Sequence, residues 1–197
     1  MRSDDEAPRP WELVSSERDD HMVLFRPRWD RLRHPRTQKV LRRLVLETPE
    51  WVNVIARDPE GRFVMVEQYR FGTSALTLEI PGGMVDPGED HGDAARRELR
   101  EETGYTAERW VYLGAVEPNP AFQTNLCHHW FADRVHATHA QELDEGEDIR
   151  IRHFDEAELV RRVRAGEIRH SLVLTALARV LDLRCTEDLS RFEGVER

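Results

Sequence analysis

Glu98, Glu101 and Glu102 stand at i, i+3 and i+4 in the run GMVDPGEDHGDAARRELREETGY, which extends from Gly83 to Tyr105. On a helix this spacing puts all three carboxylates on one face. Like charges so close repel one another and cost stability unless something positive sits against them. Hard divalent cations, which prefer oxygen ligands, are the simplest such partner, and magnesium in turn suggests a phosphate-bearing substrate. The competing reading is a solvated helix laced with charge, the usual meaning of a generic Glu- and Arg-rich segment.

The residues around the acids set up a loop that leads into a helix. Asp86-Pro87-Gly88 is turn chemistry. Asp90, with Asp93 three residues on, resembles a capping box in which an acid replaces the usual Glu or Gln. The helix is expected to run to about Thr103, with Gly104 as its C′ residue. Arg97 and Glu101 form an i,i+4 pair, and Ala95 with Leu99 gives a small apolar stripe for docking. The whole arrangement resembles the signature of the Nudix hydrolases: Gly83, then Glu89, Arg97-Glu98-Leu99, Glu101-Glu102 and Gly104-Tyr105, every fixed position filled. Seven fixed identities at ordinary residue usage make a chance match roughly one in 10⁸ per start position.

The chain has 197 residues, enough for one domain with a large core. Its formal net charge of −9 argues against general nucleic-acid binding. The charge is uneven: Arg26, Arg28, Arg31, Arg33, Arg36, Lys39, Arg42 and Arg43 cluster with Asp30 as the only acid among them. This run is either a solvated edge hairpin or a phosphate-facing cluster. Cys127 and Cys185 lack metal or redox spacing, and a reduced cytosolic pair is the default. The opening MRSDDEAPRP lacks the basic and apolar regions of a signal peptide, and no apolar run approaches membrane-spanning length. A cytoplasmic protein with no membrane partner is expected. His128-His129, His136 and His139 show no zinc spacing, and adjacent histidines on a strand point to opposite faces.

Strands are expected over Trp11–Glu17, Met22–Phe25, Val40–Leu46, Trp51–Ala56, Phe63–Tyr69, Leu76–Ile80, Trp110–Val116, Leu126–Ala132 and Ile149–Phe154. Arg57-Asp58-Pro59-Glu60-Gly61 is a hairpin turn. Ala137–Asp148 reads as a mobile acidic loop. Asp155 opens a helix to about Arg164, and Ser171 caps another to about Leu183. The fold class is α/β, an α+β mixed sheet between helical layers. The Nudix resemblance implies an α/β/α sandwich with an additional N-terminal β-sheet segment. The chain divides into a disordered tail (1–9), an N-terminal β segment (10–47), the Nudix domain (48–184) and a polar tail (185–197).

Features outside the signature resemble the ADP-ribose pyrophosphatase and nucleoside-diphosphate-sugar hydrolase branch of the family. Pro120 follows Gly104 by sixteen residues, Glu67-Gln68-Tyr69-Arg70 and Leu78-Glu79-Ile80-Pro81-Gly82-Gly83 look like its upstream blocks, and Leu143–Asp148 resembles its acidic loop. Ala121-Phe122-Gln123-Thr124-Asn125 departs from the Gly-Phe-Ser-Asp-Glu-like run that often follows the proline. The resemblance implies Glu98 and Glu102 as the main Mg²⁺ ligands, joined by the Gly82 carbonyl, with Mn²⁺ as a substitute. Glu101 either ligates or pairs with Arg97. Glu145 matches the branch's proposed base and Glu147 an additional metal ligand, against the alternative of a solvated loop. Arg70 is expected to contact phosphate and Glu79 to orient substrate or arginine. Trp51 or Phe122 could stack on a base, although a core position is the stronger reading for each. The branch also implies a homodimer that exchanges N-terminal strands. The leading function is hydrolysis of a nucleoside-diphosphate sugar, ADP-ribose first. The alternatives are another nucleotide substrate (GDP-mannose, a dinucleoside polyphosphate, an oxidised nucleotide) or a non-catalytic ligand sensor.

Overall fold

A computed structural model describes residues 24–184. The strand expected over Trp11–Glu17, Cys185 and both terminal tails lie outside the described residues. Of Met22–Phe25 only Leu24 and Phe25 are described, and neither is strand. The chain instead becomes extended within the basic run: β1 (Arg26–Arg33) pairs antiparallel with β2 (Val40–Glu47), with Trp29 opposite Leu44 and Arg31 opposite Arg42. The density of charge explains the misread start. Charged residues surround Trp29 and Leu32 (Arg28, Asp30, Arg31 and Arg33), so no apolar run marks the strand.

The main sheet contains β3 (Trp51–Arg57), β4 (Phe63–Arg70), β5 (Ala75–Glu79), β6 (Tyr105–Val116), β7 (Cys127–Ala137) and β8 (Ile149–Phe154). The order is β5-β4-β3-β7-β6, and β8 pairs with the other edge of β4. Only β3 and β7 run parallel, Trp51 opposite Cys127 through Arg57 opposite Asp133. Burial on both faces accounts for the run Val52-Asn53-Val54-Ile55-Ala56, apolar except for Asn53. Val52, Val54 and Ala56 pack under α1 (His91–Thr103) with Ala94, Ala95 and Leu99. Ile55 faces the opposite layer, built with Leu159 of α2 (Glu156–Arg164) and Val173, Ala176 and Leu177 of α3 (Ser171–Leu177). The mixed sheet between helical layers is therefore as expected.

Several boundaries differ from the sequence reading. β6 begins at Tyr105 rather than Trp110, and β7 runs to Ala137 rather than Ala132. Gly104 closes α1 in the left-handed region (φ 74°), its carbonyl takes the N–H groups of Thr138 and His139, and Tyr105 at once pairs with Ala137. Asp155 caps α2 as expected, accepting from the Glu158 N–H at 2.8 Å. Ser171 does not cap α3; the cap is His170, without a side-chain bond. That helix ends at Leu177 instead of Leu183, because the following turns carry Arg179 to the carbonyls of Leu113 and Ala115. Among the described residues no helix is long and apolar enough to cross a membrane.

Candidate active site

β3 and the segment after β5 together build the site. Val54 N–H donates to the Pro81 carbonyl at 2.8 Å and Val52 N–H to the Gly83 carbonyl at 2.9 Å, so this segment lies along β3 like an extra strand. Between them, the Gly82 N–H turns the other way and donates to Glu102 Oε2 at 2.9 Å. In an extended segment the N–H and C=O of one residue share a side, so the Gly82 carbonyl faces the acids too. A side chain at Gly82 would strike the Val52 carbonyl, and one at Gly83 would strike the Glu98 carboxylate. The two glycines let the loop backbone lie directly against β3 and the metal-type acids.

On α1, Asp90 is the N-cap, accepting from Gly92 N–H at 2.8 Å. Asp93 does not complete a capping box; its carboxylate pairs with Arg96 at 3.3 Å. Arg97 is the centre of the acidic face. It grips both oxygens of Glu89 at 2.9 Å, reaches Glu98 at 2.8 Å and Glu101 at 3.2 Å, and donates to the Met84 carbonyl. Glu89 in turn accepts from the Asp86 N–H at 3.0 Å. One guanidinium thus ties the loop to the helix and neutralises part of the acid cluster. Glu101 also contacts Arg100, so two arginines engage it.

Glu98 and Glu102 are held differently. Glu102 is 3% exposed, and burial raises its carboxyl well above the ordinary value; Glu98 and Glu147 add to the rise, while the Gly82 N–H and Arg70 oppose it. Burial likewise pushes Glu98 up to about 7 despite Arg97, with Glu101 and Glu147 contributing. Elevated acids that repel one another mark a site prepared for positive charge.

Arg70 and Glu79 approach from β4 and β5. They form a two-bond fork at 2.8 and 2.7 Å, and Thr77 Oγ1 donates to Glu79 at 2.6 Å. Burial pushes Glu79 upward, but the Arg70 and Thr77 bonds more than offset it and its carboxyl lies below the usual value. The Arg70 guanidinium acts electrostatically on Glu102 and Glu147 as well. Glu147 accepts from the Asp144 N–H at 3.0 Å, whereas Glu145 is exposed at the loop turn and makes no hydrogen bond or ion pair among the described residues. The base of that loop is fastened to α1: Gln141 donates to the Glu102 carbonyl at 2.6 Å and Glu142 N–H to the Glu101 carbonyl at 2.9 Å. Neither tie has a local sequence signal, since partners 39 residues apart in the first case leave no pattern to read.

Trp51 is half-buried beside Met84, and Phe122 is 39% exposed near the end of β2, so neither is a core aromatic. The basic run forms the β1–β2 hairpin, with Arg28 paired to Asp30 and Glu47 and Arg42 lying over Trp29 at 4.0 Å. Cys127 is free and buried, its thiol pushed up to about 12 by that burial, which makes it inert as a nucleophile.

The donor set fits a hard cation. It consists of oxygen from the buried Glu102 carboxylate, the partly buried Glu98 carboxylate and a backbone carbonyl, with no thiolate or imidazole. Among the described residues no group of three His, Cys, Asp or Glu side chains is placed to hold a metal ion by itself. An incomplete cage suits an ion that binds through one or two carboxylates plus substrate phosphates.

Residues 48–174 match the NUDIX domain. The chain belongs to the Nudix family. It is a Nudix pyrophosphohydrolase, and such enzymes generally use divalent metal cations. An ADP-ribose pyrophosphatase of Mycobacterium tuberculosis is 32% identical over 176 residues, covering 88% of this chain and 84% of that protein. Another from Bacillus subtilis is 31% identical over 131 residues, 66% of this chain and 71% of that protein. In fold, this Nudix chain is similar to the crystal structure of an ADP compounds hydrolase, with a TM-score of 0.63 at 19% identity over 88% of this chain and 99% of the other.

Proposed function

We propose that the protein is a Mg²⁺-dependent hydrolase of the pyrophosphate bond of ADP-ribose or a related nucleoside-diphosphate sugar, releasing a nucleoside monophosphate and a sugar phosphate. The observation that carries this reading is the placing of Glu102 against Gly82 and of Glu98 against Gly83, with Arg70 in electrostatic reach of Glu102. The relatives that bear the ADP-ribose pyrophosphatase name support the substrate class.

In this reading Glu98, Glu102 and the Gly82 carbonyl hold the cation, with Glu147 as an added ligand and Glu101 kept by its arginines. The cation, when bound, supplies positive charge against the pyrophosphate oxygens and makes water more acidic. Arg70, oriented by buried Glu79, binds a phosphate oxygen through its remaining N–H groups. Glu145, free at its loop turn, takes the proton of the attacking water. Trp51 or Phe122 stacks on the base.

The active assembly is a homodimer. A two-stranded hairpin alone is marginal in water, and this one exposes Trp29, Leu32, Val40 and Leu44. The partner subunit covers that surface, and the arginines of the hairpin add to the substrate site. The protein works in the cytoplasm. A screen with Mg²⁺ over ADP-ribose, GDP-mannose, UDP-glucose, ADP-glucose and diadenosine polyphosphates, in which an added phosphatase frees phosphate from the terminal phosphates of the products, tests the assignment. Highest kcat/KM on a dinucleoside polyphosphate would reject the sugar-nucleotide reading, and no turnover of any of them would reject catalysis.

A further inference from the structure

A second polar cluster lies under the opposite end of the signature loop, away from the acids. His128, 6% exposed, bonds through Nε2 to Glu50 Oε2 at 2.8 Å and through Nδ1 to the Tyr112 hydroxyl at 3.0 Å. The Glu50 carboxylate only accepts, so the His128 Nε2–H donates. The imidazole of His91 lies flat on that of His128, with centroids 4.0 Å apart and planes within 8°. Trp130 Nε1–H donates to His91 Nδ1 at 3.2 Å, and the Tyr112 ring covers His91 at 5.0 Å.

Two residues that touch His128, Glu50 through a hydrogen bond and His91 through ring stacking, are the two moorings of one loop. The Glu50 carbonyl accepts the Val85 N–H at 2.9 Å, where the loop leaves β3, and His91 is the first residue of α1, where the loop ends. Between them lies Glu89, whose carboxylate holds Arg97, and Arg97 holds Glu98. We propose that His128 is a positioning residue for the metal site: it fixes both ends of the Val85–Asp90 loop and so, through the Glu89–Arg97 fork, the orientation of Glu98. Side chains that orient ligands without touching the metal commonly change metal affinity when they are replaced. This inference rests on the proposed cation site at Glu98 and Glu102.

The test is calorimetric titration of the full-length protein with Mn²⁺, beside steady-state kinetics. His128→Leu, which removes both hydrogen bonds, is expected to weaken Mn²⁺ binding about 10- to 100-fold. The substrate KM at saturating Mn²⁺ should stay at the parent value, which a general loosening of the fold would not allow. Glu50→Ala should weaken Mn²⁺ in the same direction, and Glu50→Gln, which still offers an acceptor to His128, should restore it. A folded His128→Leu protein with parent Mn²⁺ affinity overturns the inference while leaving the cation site standing. Should His128→Leu fail to fold, parent affinity in Glu50→Ala overturns it instead. If the parent itself takes up no Mn²⁺, the cation site falls, and the positioning role with it.

Discussion

Replacing Glu98 by Gln should make the metal-free protein more stable while impairing its response to metal. The carboxyl rises from an ordinary 4.5 to about 7, chiefly through burial. The folded state therefore binds this proton more tightly than the unfolded chain does. Stability from the protonated acid is fully present below the unfolded value and is lost as pH rises through the folded one. At 1.36 kcal/mol per pH unit the shift corresponds to an upper limit of roughly 3.4 kcal/mol lost on ionisation. The side chain is only 12% exposed, so solvent screening does not erase the effect. Gln mimics the neutral acid and avoids most of that loss.

In chelator at about pH 8, Glu98→Gln should then melt roughly 6–12 °C above the parent, using about 2–4 °C per kcal/mol for a chain of this size. Well below the ordinary value of 4.5 the two should melt together, because the parent acid is then protonated in both states. Excess Mg²⁺ should raise the parent and move the variant far less, since only a ligand that binds the folded state shifts its melting point. Scanning calorimetry at several pH values, with and without Mg²⁺, measures all three. A melting difference that does not change with pH, or a parent that gains on the variant as pH rises in chelator, would refute the reasoning.

The remaining predictions concern turnover and assembly. Glu102→Gln should retain the fold and lower kcat by about a thousandfold or more, since charge opposite the reacting phosphate is lost; normal turnover by a folded variant removes Glu102 from the site. Glu145→Gln should lower kcat roughly 10²–10⁴-fold with little change in KM; unchanged kcat moves the base to Glu147. Removing residues 1–47 should give an unstable or monomeric protein with raised KM, and light scattering of the intact chain should give twice 23.1 kDa; a monomer with full ADP-ribose hydrolysis defeats the shared site.

The legible part of this protein is the part where chemistry is local. Glu98, Glu101 and Glu102 declare a common helix face because a helix imposes 3.6 residues per turn. The Asp90 cap, the Gly104 stop and the largely apolar β3 are likewise short-range consequences of backbone geometry. Misreadings arose where a distant partner decides. β6 and β7 extend past their apolar stretches because they pair with each other, Tyr105 with Ala137 at the far end. α3 ends early because Arg179 is drawn to the carbonyls beside Gly114. β1 is a strand because β2 lies opposite; its own charges would not announce it.

The same division explains why Glu101 and Glu98 part company although the sequence treats them alike. A count of charges on the helix face gives three acids and one Arg97, and it assigns no preference among them. The fold adds Arg100 to Glu101, leaving that acid between two guanidiniums in a half-exposed position. It adds Gly83 and burial to Glu98, and Gly82 with deeper burial to Glu102. Glu147 raises both of these from across the loop. The unbalanced negative charge therefore gathers at Glu98 and Glu102, beside Gly83 and Gly82, with Glu147 acting on both electrostatically. Arg70, neutralised by Glu79, is too committed to balance it. In the proposed reading, a hard cation there would lower the energy of these acids, whereas one at Glu101 would compete with arginines already in place.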